Sequence, residues 1–176
     1  STIVTNNIYE IEKFLDKVGE IITKPLYGNG GVGIHRFNKN SFNPEIIKQY
    51  LGLPIMAQKY IKEITQGDRR LIIINGDYCG SVARLPKDGE IKANFHAGGI
   101  PHKTDLVFRD KEIIDVVGPQ LRNNNLFFVG IDIIGDYLTE INVTSPTGIC
   151  EINPMMGLCI EKMITDAALV RLNQIQ

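Results

Sequence analysis

The stretch from Val129 to Pro146 restricts the fold more than any other, because acidic and amide side chains interrupt two runs of β-branched and apolar residues. Gly135 and Asp136 are turn residues, so Phe127 to Ile134 and Leu138 to Val143 read as the antiparallel strands of a hairpin. Side chains alternate along a strand, which puts Glu140 and Asn142 on one face. Asp132 joins them only if the connection is odd in length. A two-residue loop would send it to the other face, whereas a three-residue loop, Gly135 to Tyr137, sets it across from Glu140, and the three-residue loop is the expectation. There Asp132, Glu140 and Asn142 would offer hard oxygen ligands to a small divalent cation such as magnesium, also held by substrate phosphates. A solvated sheet face is the alternative reading of the same three residues.

The rest of the chain bounds the classes of partner. Its 176 residues and 43% apolar composition suffice for a buried core, in one domain or two small lobes. A formal net charge of -1 gives no footing for nucleic acid or an anionic membrane surface, and no apolar run approaches the ~20 residues of a membrane span. Ser1 to Asn7 lacks a basic region followed by an apolar one and does not read as a signal peptide. Cys79, Cys150 and Cys159 are odd in number and have no Cys-x-x-Cys spacing, which argues against a disulfide framework or a thiolate metal site and fits a reducing cytoplasm. His35, His96 and His102 are scattered over separate segments and predict no histidine cluster.

Asn7 and Glu10 have capping-box spacing, and Ile8, Ile11, Leu15 and Val18 recur on one helical face until Gly19, predicting a helix over 8–18. Strands are expected at Glu20 to Lys24 and Ile34 to Phe37, around a glycine loop, and at Ile55 to Ile61 after a weaker helix around Pro44 to Leu51. Arg69 to Ile74 and Tyr78 to Leu85 flank Asn75-Gly76, a strong hairpin signal. Pro86 to Lys103 is polar, glycine-rich and without apolar periodicity, so it reads as a functional or mobile loop. Asp110 is expected to cap a helix carrying Ile113, Ile114, Val117 and Leu121, and Leu158 to Ile175 to form one C-terminal helix. Hairpins with helices between them predict an α+β fold in two lobes, joined near residues 56–62.

Four glycines in Gly28-Asn-Gly-Gly-Val-Gly33 allow close backbone approach to a phosphate, although the loop is not a Walker loop and also fits a plain flexible turn. Lys24, upstream on a strand, can hold phosphate oxygens as a point charge or simply be solvated. Gln58 and Asp68 bracket the inter-lobe segment, where a base and a ribose could bind. Arg69 and Arg70 must point to opposite faces, so only one can join Arg84; Arg70 is the choice, for anion recognition or for pairing with acids.

Together these segments resemble the ATP-grasp ligases, and in particular the C-terminal two thirds of bacterial-type glutathione synthetase. The motifs are Lys24-Pro-Leu-Tyr-Gly-Asn-Gly-Gly31, Met56-Ala-Gln58, Gly67-Asp-Arg-Arg70, Ala83-Arg84, Asn94-Phe-His-Ala-Gly-Gly99 and the run from Val129 to Thr147. The resemblance implies an α+β ATP-grasp fold with nucleotide between the antiparallel sheets of a small lobe, 1–60, and a C-terminal lobe, 61–176. It implies that Lys24, Gly28, Asn29, Gly30 and Gly31 bind the triphosphate of ATP. Gln58, Lys59, Tyr60 and Ile61 would frame the adenine, with Asp68 near the ribose. Asp132, Glu140 and Asn142 would hold magnesium, or manganese in its place, with Asn142 also touching the nucleotide. Arg70, Arg84 and Lys92 would act on the reacting phosphate, Arg84, Asn94, Ser145 and Thr147 would contact the peptide substrate, and Leu85 to Gly99 would form a lid.

The reaction so implied joins γ-glutamylcysteine to glycine through an acyl phosphate. A carboxylate is a poor electrophile, so it is phosphorylated first; cations offset the repulsion of two anions, and a closed lid keeps water from the intermediate. The resemblance further implies a cytoplasmic enzyme that is homo-oligomeric as the full-length parent. An N-terminal substrate domain is expected before Thr2, so the chain reads as a fragment that binds magnesium-ATP yet is poorly active alone. Lys92 stands where the family commonly has arginine, Phe95-His96 replaces a smaller pair, and Cys150 stands where arginine is common, reading as a semi-buried structural cysteine or a reactive thiol. The alternatives are a carboxylate-amine ligase with another acceptor and a non-catalytic ATP-binding module.

Overall fold

The computed structural model describes residues 1–27, 31–50, 52–87, 93–95 and 98–174. By its contacts the chain divides into two compact units, Ser1–Lys62 and Glu63–Gln176.

The first unit is a four-stranded antiparallel sheet in the order β1-β4-β2-β3, from β1 (Thr2–Thr5), β2 (Glu20–Pro25), β3 (His35–Asn38) and β4 (Ile55–Lys59). Strand β1 was not expected from the sequence: its four residues are too few to show a pattern, and pairing with β4 is what orders them. Helices α1 (Ile8–Val18) and α2 (Pro44–Lys48) cover one face, burying Ile11, Phe14, Leu15 and Ile47 against Ile21, Phe37, Ile55 and Ala57. Asn7 caps α1 by accepting from Tyr9 N at 3.0 Å. Glu10, however, accepts from the Thr5 hydroxyl instead of reaching back to Asn7, so the expected capping box is only half made. Helix α2 ends at Lys48, short of the predicted Leu51.

The second unit is a five-stranded antiparallel sheet in the order β7-β6-β5-β8-β9. Its strands are β5 (Asp68–Ile74), β6 (Asp77–Leu85), β7 (Ile100–His102), β8 (Phe128–Ile134) and β9 (Tyr137–Asn142). Asn75 and Gly76 make the β5–β6 turn with φ of 50° and 82°, the mirror-image turn that the right-handed strand twist favours. Alternation gives the sheet two cores. Leu71, Ile73, Val129, Ile131 and Ile133 pack on α3 (Phe108–Asn123). On the opposite face Ile72, Ile74 and Val82 pack on Ile152 of α4 (Ile149–Met156) and Ile160 of α5 (Ile160–Asn173). Helices α4 and α5 leave the Asp68 end of that face to charged side chains.

Several expectations need correction. Residues 100–102 form an edge strand paired with β6 within the predicted loop; Pro101 is tolerated because an edge strand can spare a donor. Val107 is the N-cap of α3, and Asp110 lies three residues in, where its carboxylate accepts from Val107 N at 3.2 Å. The expected C-terminal helix is α5, and α4 is a further, unpredicted helix that precedes it. Gly157, at φ 66°, closes α4, and the Asn153 side chain then caps Ile160 N at 3.0 Å to start α5. Pro154 inside α4 hid it, since proline reads as a helix breaker. Cys150 is exposed rather than semi-buried. No helix among the described residues is long and apolar enough to cross a membrane.

Candidate active site

The charged end of the second unit's sheet is assembled by strand register. Asp68 stands opposite Arg84, Arg70 opposite Asp132, Asp132 opposite Glu140, and Gly130 opposite Asn142, all on the face that carries α4 and α5. The hairpin reaches this arrangement by a route other than the expected one. Its turn is two residues, Gly135 and Asp136, and Ile134 pairs with Tyr137. The register then shifts between Ile133 and Asp132, leaving Thr139 as an extra bulged residue whose hydroxyl donates to Asp132 O at 3.1 Å. The odd residue needed to bring Glu140 across from Asp132 is therefore in the strand, not in the loop.

Arg70, Arg84, Asp68 and Asp132 are all buried. Arg84 forks onto Asp68, with Nε donating to Oδ1 at 2.7 Å and Nη2 to Oδ2 at 2.5 Å, and Nη2 also lies 2.9 Å from Asp132 Oδ2. Arg70 donates Nε to Asp132 Oδ1 and Nη2 to Oδ2, the latter at 2.8 Å. Burial opposes the charged form of Asp132, but the Arg70 hydrogen bonds and the Arg84 charge outweigh it and hold the carboxyl below the usual carboxylate range. Burial likewise works against the Arg84 cation, and its two carboxylate partners more than offset this, so the guanidinium stays charged. The Asn142 amide nitrogen donates to Glu140 Oε1 at 3.1 Å while its oxygen accepts from Arg70 Nη2 at 3.2 Å.

The donor set suits a hard cation within limits. Of about four acceptor positions on a carboxylate, Asp132 gives three to guanidinium groups. Glu140 is exposed and Asn142 half-buried. Among the described residues no group of three or more His, Cys, Asp or Glu side chains could hold a metal alone. Magnesium here would rest on Asp132, Glu140, the Asn142 amide and oxygens from outside the protein, which is how magnesium is usually held.

Lys24, Gln58, Lys59, Tyr60 and Ile61 belong to the first unit. Lys24 pairs with Met56 and Ile22 with Gln58, on the face of the first unit's sheet away from its core. Gln58 donates to Thr2 Oγ1 at 3.2 Å, and Lys59 is exposed. Tyr60 is buried beneath the Arg36 guanidinium, 3.9 Å from the ring centroid, and Ile61 is half-buried. Gly31 has φ 77°, and Gly28, Asn29 and Gly30 lie outside the described residues, as do Lys92 and His96. Of the described residues of the expected lid, Ala93 is buried, Phe95 lies 5.6 Å from the Arg84 guanidinium, and Asn94 O accepts from Gly99 N at 3.0 Å. Thr147 turns its carbonyl to Arg70 Nη1 at 2.9 Å. Ser145 instead lines an open groove of about 480 Å³ with Asn125, Phe127, Phe128 and Val143. Sequence reasoning passed over Gly130, although a glycine within an apolar strand signals close approach by a neighbour. A Cβ there would lie 2.8 Å from Pro146 Cβ and 3.2 Å from Arg70 Cδ.

A family model of the prokaryotic glutathione synthetase ATP-grasp domain matches residues 1–157. The chain belongs to this family. The glutathione synthetase of Agrobacterium fabrum is 41% identical over 170 residues, which are 94% of this chain and 53% of the relative. That of Synechococcus elongatus is 43% identical over 177 residues, 98% of this chain and 55% of its own length. The chain thus spans about half the length of the curated relatives it matches. Among solved structures, the ATP-grasp ligase PsnB with precursor peptide PsnA2 and AMPPNP superposes with a TM-score of 0.71 at 16% identity, over 97% of this chain and 52% of that one. D-alanine–D-alanine ligase from Bacillus anthracis with ATP gives 0.66 at 17%, over 100% and 62%. These likenesses show the ATP-grasp fold, and the two antiparallel sheets with helices on their faces are its α+β form.

Proposed function

We propose that this chain is the nucleotide-binding and phosphoryl-transfer part of a glutathione synthetase, an ATP-dependent carboxylate-amine ligase that joins γ-glutamylcysteine to glycine. The observation that carries the reading is the cluster of Asp68, Arg84, Asp132 and Arg70, preorganised on one sheet face beside Glu140 and Asn142, in a chain of that family. Magnesium held at Asp132, Glu140 and Asn142 would supply charge neutralisation for the transferring phosphate. The protein's own share is positioning and fixed charge. Arg84, buried and permanently cationic, stabilises negative charge as it develops, and Lys92 adds a second cation. Lys24 and the glycine loop hold triphosphate oxygens, Gln58 to Ile61 hold the base, and Asp68, which also holds the Arg84 fork, lies near the ribose. Asn94, Ser145 and Thr147 contact the peptide, whose carboxylate becomes an acyl phosphate before the amine of glycine attacks. The lid residues around Phe95 exclude water from that intermediate.

Calorimetric titration of the chain with ATP, with and without magnesium, tests the first half of this reading: metal-dependent binding at one site is expected, and no binding overturns it. A coupled phosphate-release assay tests the second. Release that requires both γ-glutamylcysteine and glycine supports glutathione synthesis, whereas release supported by another amino acid or peptide pair assigns a different acceptor.

A further inference from the structure

We infer that Arg70 is a positioning residue that holds the magnesium-binding groups in place, and that Arg84 alone of the two buried arginines acts on the reacting phosphate; this rests on the function proposed above. A guanidinium has five N–H donors, and at Arg70 all five are used. Nε goes to Asp132 Oδ1, and Nη2 goes to Asp132 Oδ2 and the Asn142 oxygen. Nη1 goes to the Thr147 carbonyl at 2.9 Å and, more weakly, to its hydroxyl at 3.4 Å. No donor remains for a phosphate unless one of these bonds is broken. The partners come from β8, β9 and the segment that leads into α4, so one planar group on β5 ties three separate pieces of chain together.

The surroundings are shaped to keep Arg70 there. The residue is 5% exposed. Gly130 lies against its stem, and a Cβ at Gly148 would sit 3.4 Å from Arg70 Cγ. Gly148 and Ser145, with φ of 119° and 48°, bend the segment so that Thr147 O faces the guanidinium. Asn142 is held by Arg70 on one side and Glu140 on the other, which fixes the amide in the way a hydrogen-bond partner behind a metal ligand fixes that ligand. The contacts that Arg84 makes to Asp68 and Asp132 run through Nε and Nη2 only.

The test is Arg70→Lys beside Arg84→Lys. Lysine keeps the charge but has three donors on a point-like head, so it cannot hold three segments in one plane. With ADP bound, Arg70→Lys should weaken magnesium uptake, read by calorimetry, by about 10- to 100-fold, the usual cost of losing an orienting partner of a metal ligand. Affinity for ADP without metal should be unchanged, and excess magnesium should restore the occupied state. Arg84→Lys, which loses one contact to Asp132 and none to Asn142 or Thr147, should weaken magnesium uptake less than Arg70→Lys does. Gly130→Ala, which crowds the Arg70 stem, should reproduce the Arg70→Lys signature and serves if that variant does not fold. Weaker metal-free ADP binding in Arg70→Lys, or magnesium affinity equal to wild type in both Arg70→Lys and Gly130→Ala, overturns the inference. Failure of the wild-type chain to bind magnesium-ADP at all instead overturns the proposed function.

Discussion

At the scale of single residues, burial decides what each charge is worth. Asp132 lies between two guanidinium groups and is 4% exposed, so Asp132→Asn leaves two buried cations short of a counter-charge. Breaking a buried pair in this way costs about 3–5 kcal/mol, and urea unfolding should show a loss of that order. Glu140 is exposed on the edge strand, and Glu140→Gln should change stability by less than about 1 kcal/mol while weakening magnesium uptake. Equal stability losses for the two would mean that the cluster is not the buried, low-dielectric site described. The cysteines differ for the same reason. Burial pushes the Cys79 thiol up from its ordinary value, whereas Cys150 and Cys159 are exposed. A raised thiol pKa means less thiolate at a given pH. Iodoacetamide at pH 8, followed by mass spectrometry, should therefore label Cys150 and Cys159 well before Cys79.

At the scale of elements, turns and helix contacts carry constraints that propensity alone would misjudge. Gly118 lies inside α3, where replacing glycine by alanine ordinarily stabilises a helix by about 1 kcal/mol. Here a Cβ would lie 2.3 Å from Gly76 O, because α3 crosses directly over the β5–β6 turn. Gly118→Ala should thus destabilise, and a higher urea midpoint would refute the contact. The β8–β9 hairpin is held at its turn by Arg69, which pairs with the buried Asp110 and donates to Gly135 O at 2.8 Å. Arg109 Nε adds a bond to Asp136 O at 3.1 Å. These anchors steady the hairpin that carries Glu140 and Asn142 from the face opposite to the site.

At the scale of the whole molecule, the chain has separate cores. Ile11, Phe14, Leu15 and Ile21 share one core in the first unit, while the two faces of the second unit's sheet bury their own sets. Each unit should unfold as its own cooperative block. Phe14→Ala should cost about 3–5 kcal/mol in the first unit alone. Hydrogen exchange followed by mass spectrometry in increasing urea would show this as earlier exposure of residues within 1–62 and unchanged protection in β5 and β8. Loss of protection throughout the chain would mean that it unfolds as one.

The sequence by itself determined the local units and which residues share a sheet face. Periodicity of two placed Arg69 and Arg70 on opposite faces and put Glu140 with Asn142, Asn75-Gly76 fixed a turn, and Asn7 and Gly19 bounded α1; each follows from neighbouring backbone geometry. Motifs over most of the chain also carried the ATP-grasp fold and the family. What only tertiary structure decided was how those faces meet. The bulge at Thr139 forms because pairing with β8 and the Asp132 carbonyl rewards it, and no local signal distinguishes it from a three-residue loop. Strands β1 and β7 exist because β4 and β6 offer unpaired edges. Helix α4 persists across Pro154 because Ile152 is buried against Gly80, where a Cβ would lie 2.7 Å from its Cγ2. The fivefold satisfaction of Arg70 needs partners from three segments far apart in the chain, and only the folded sheet brings their oxygens within reach of one guanidinium.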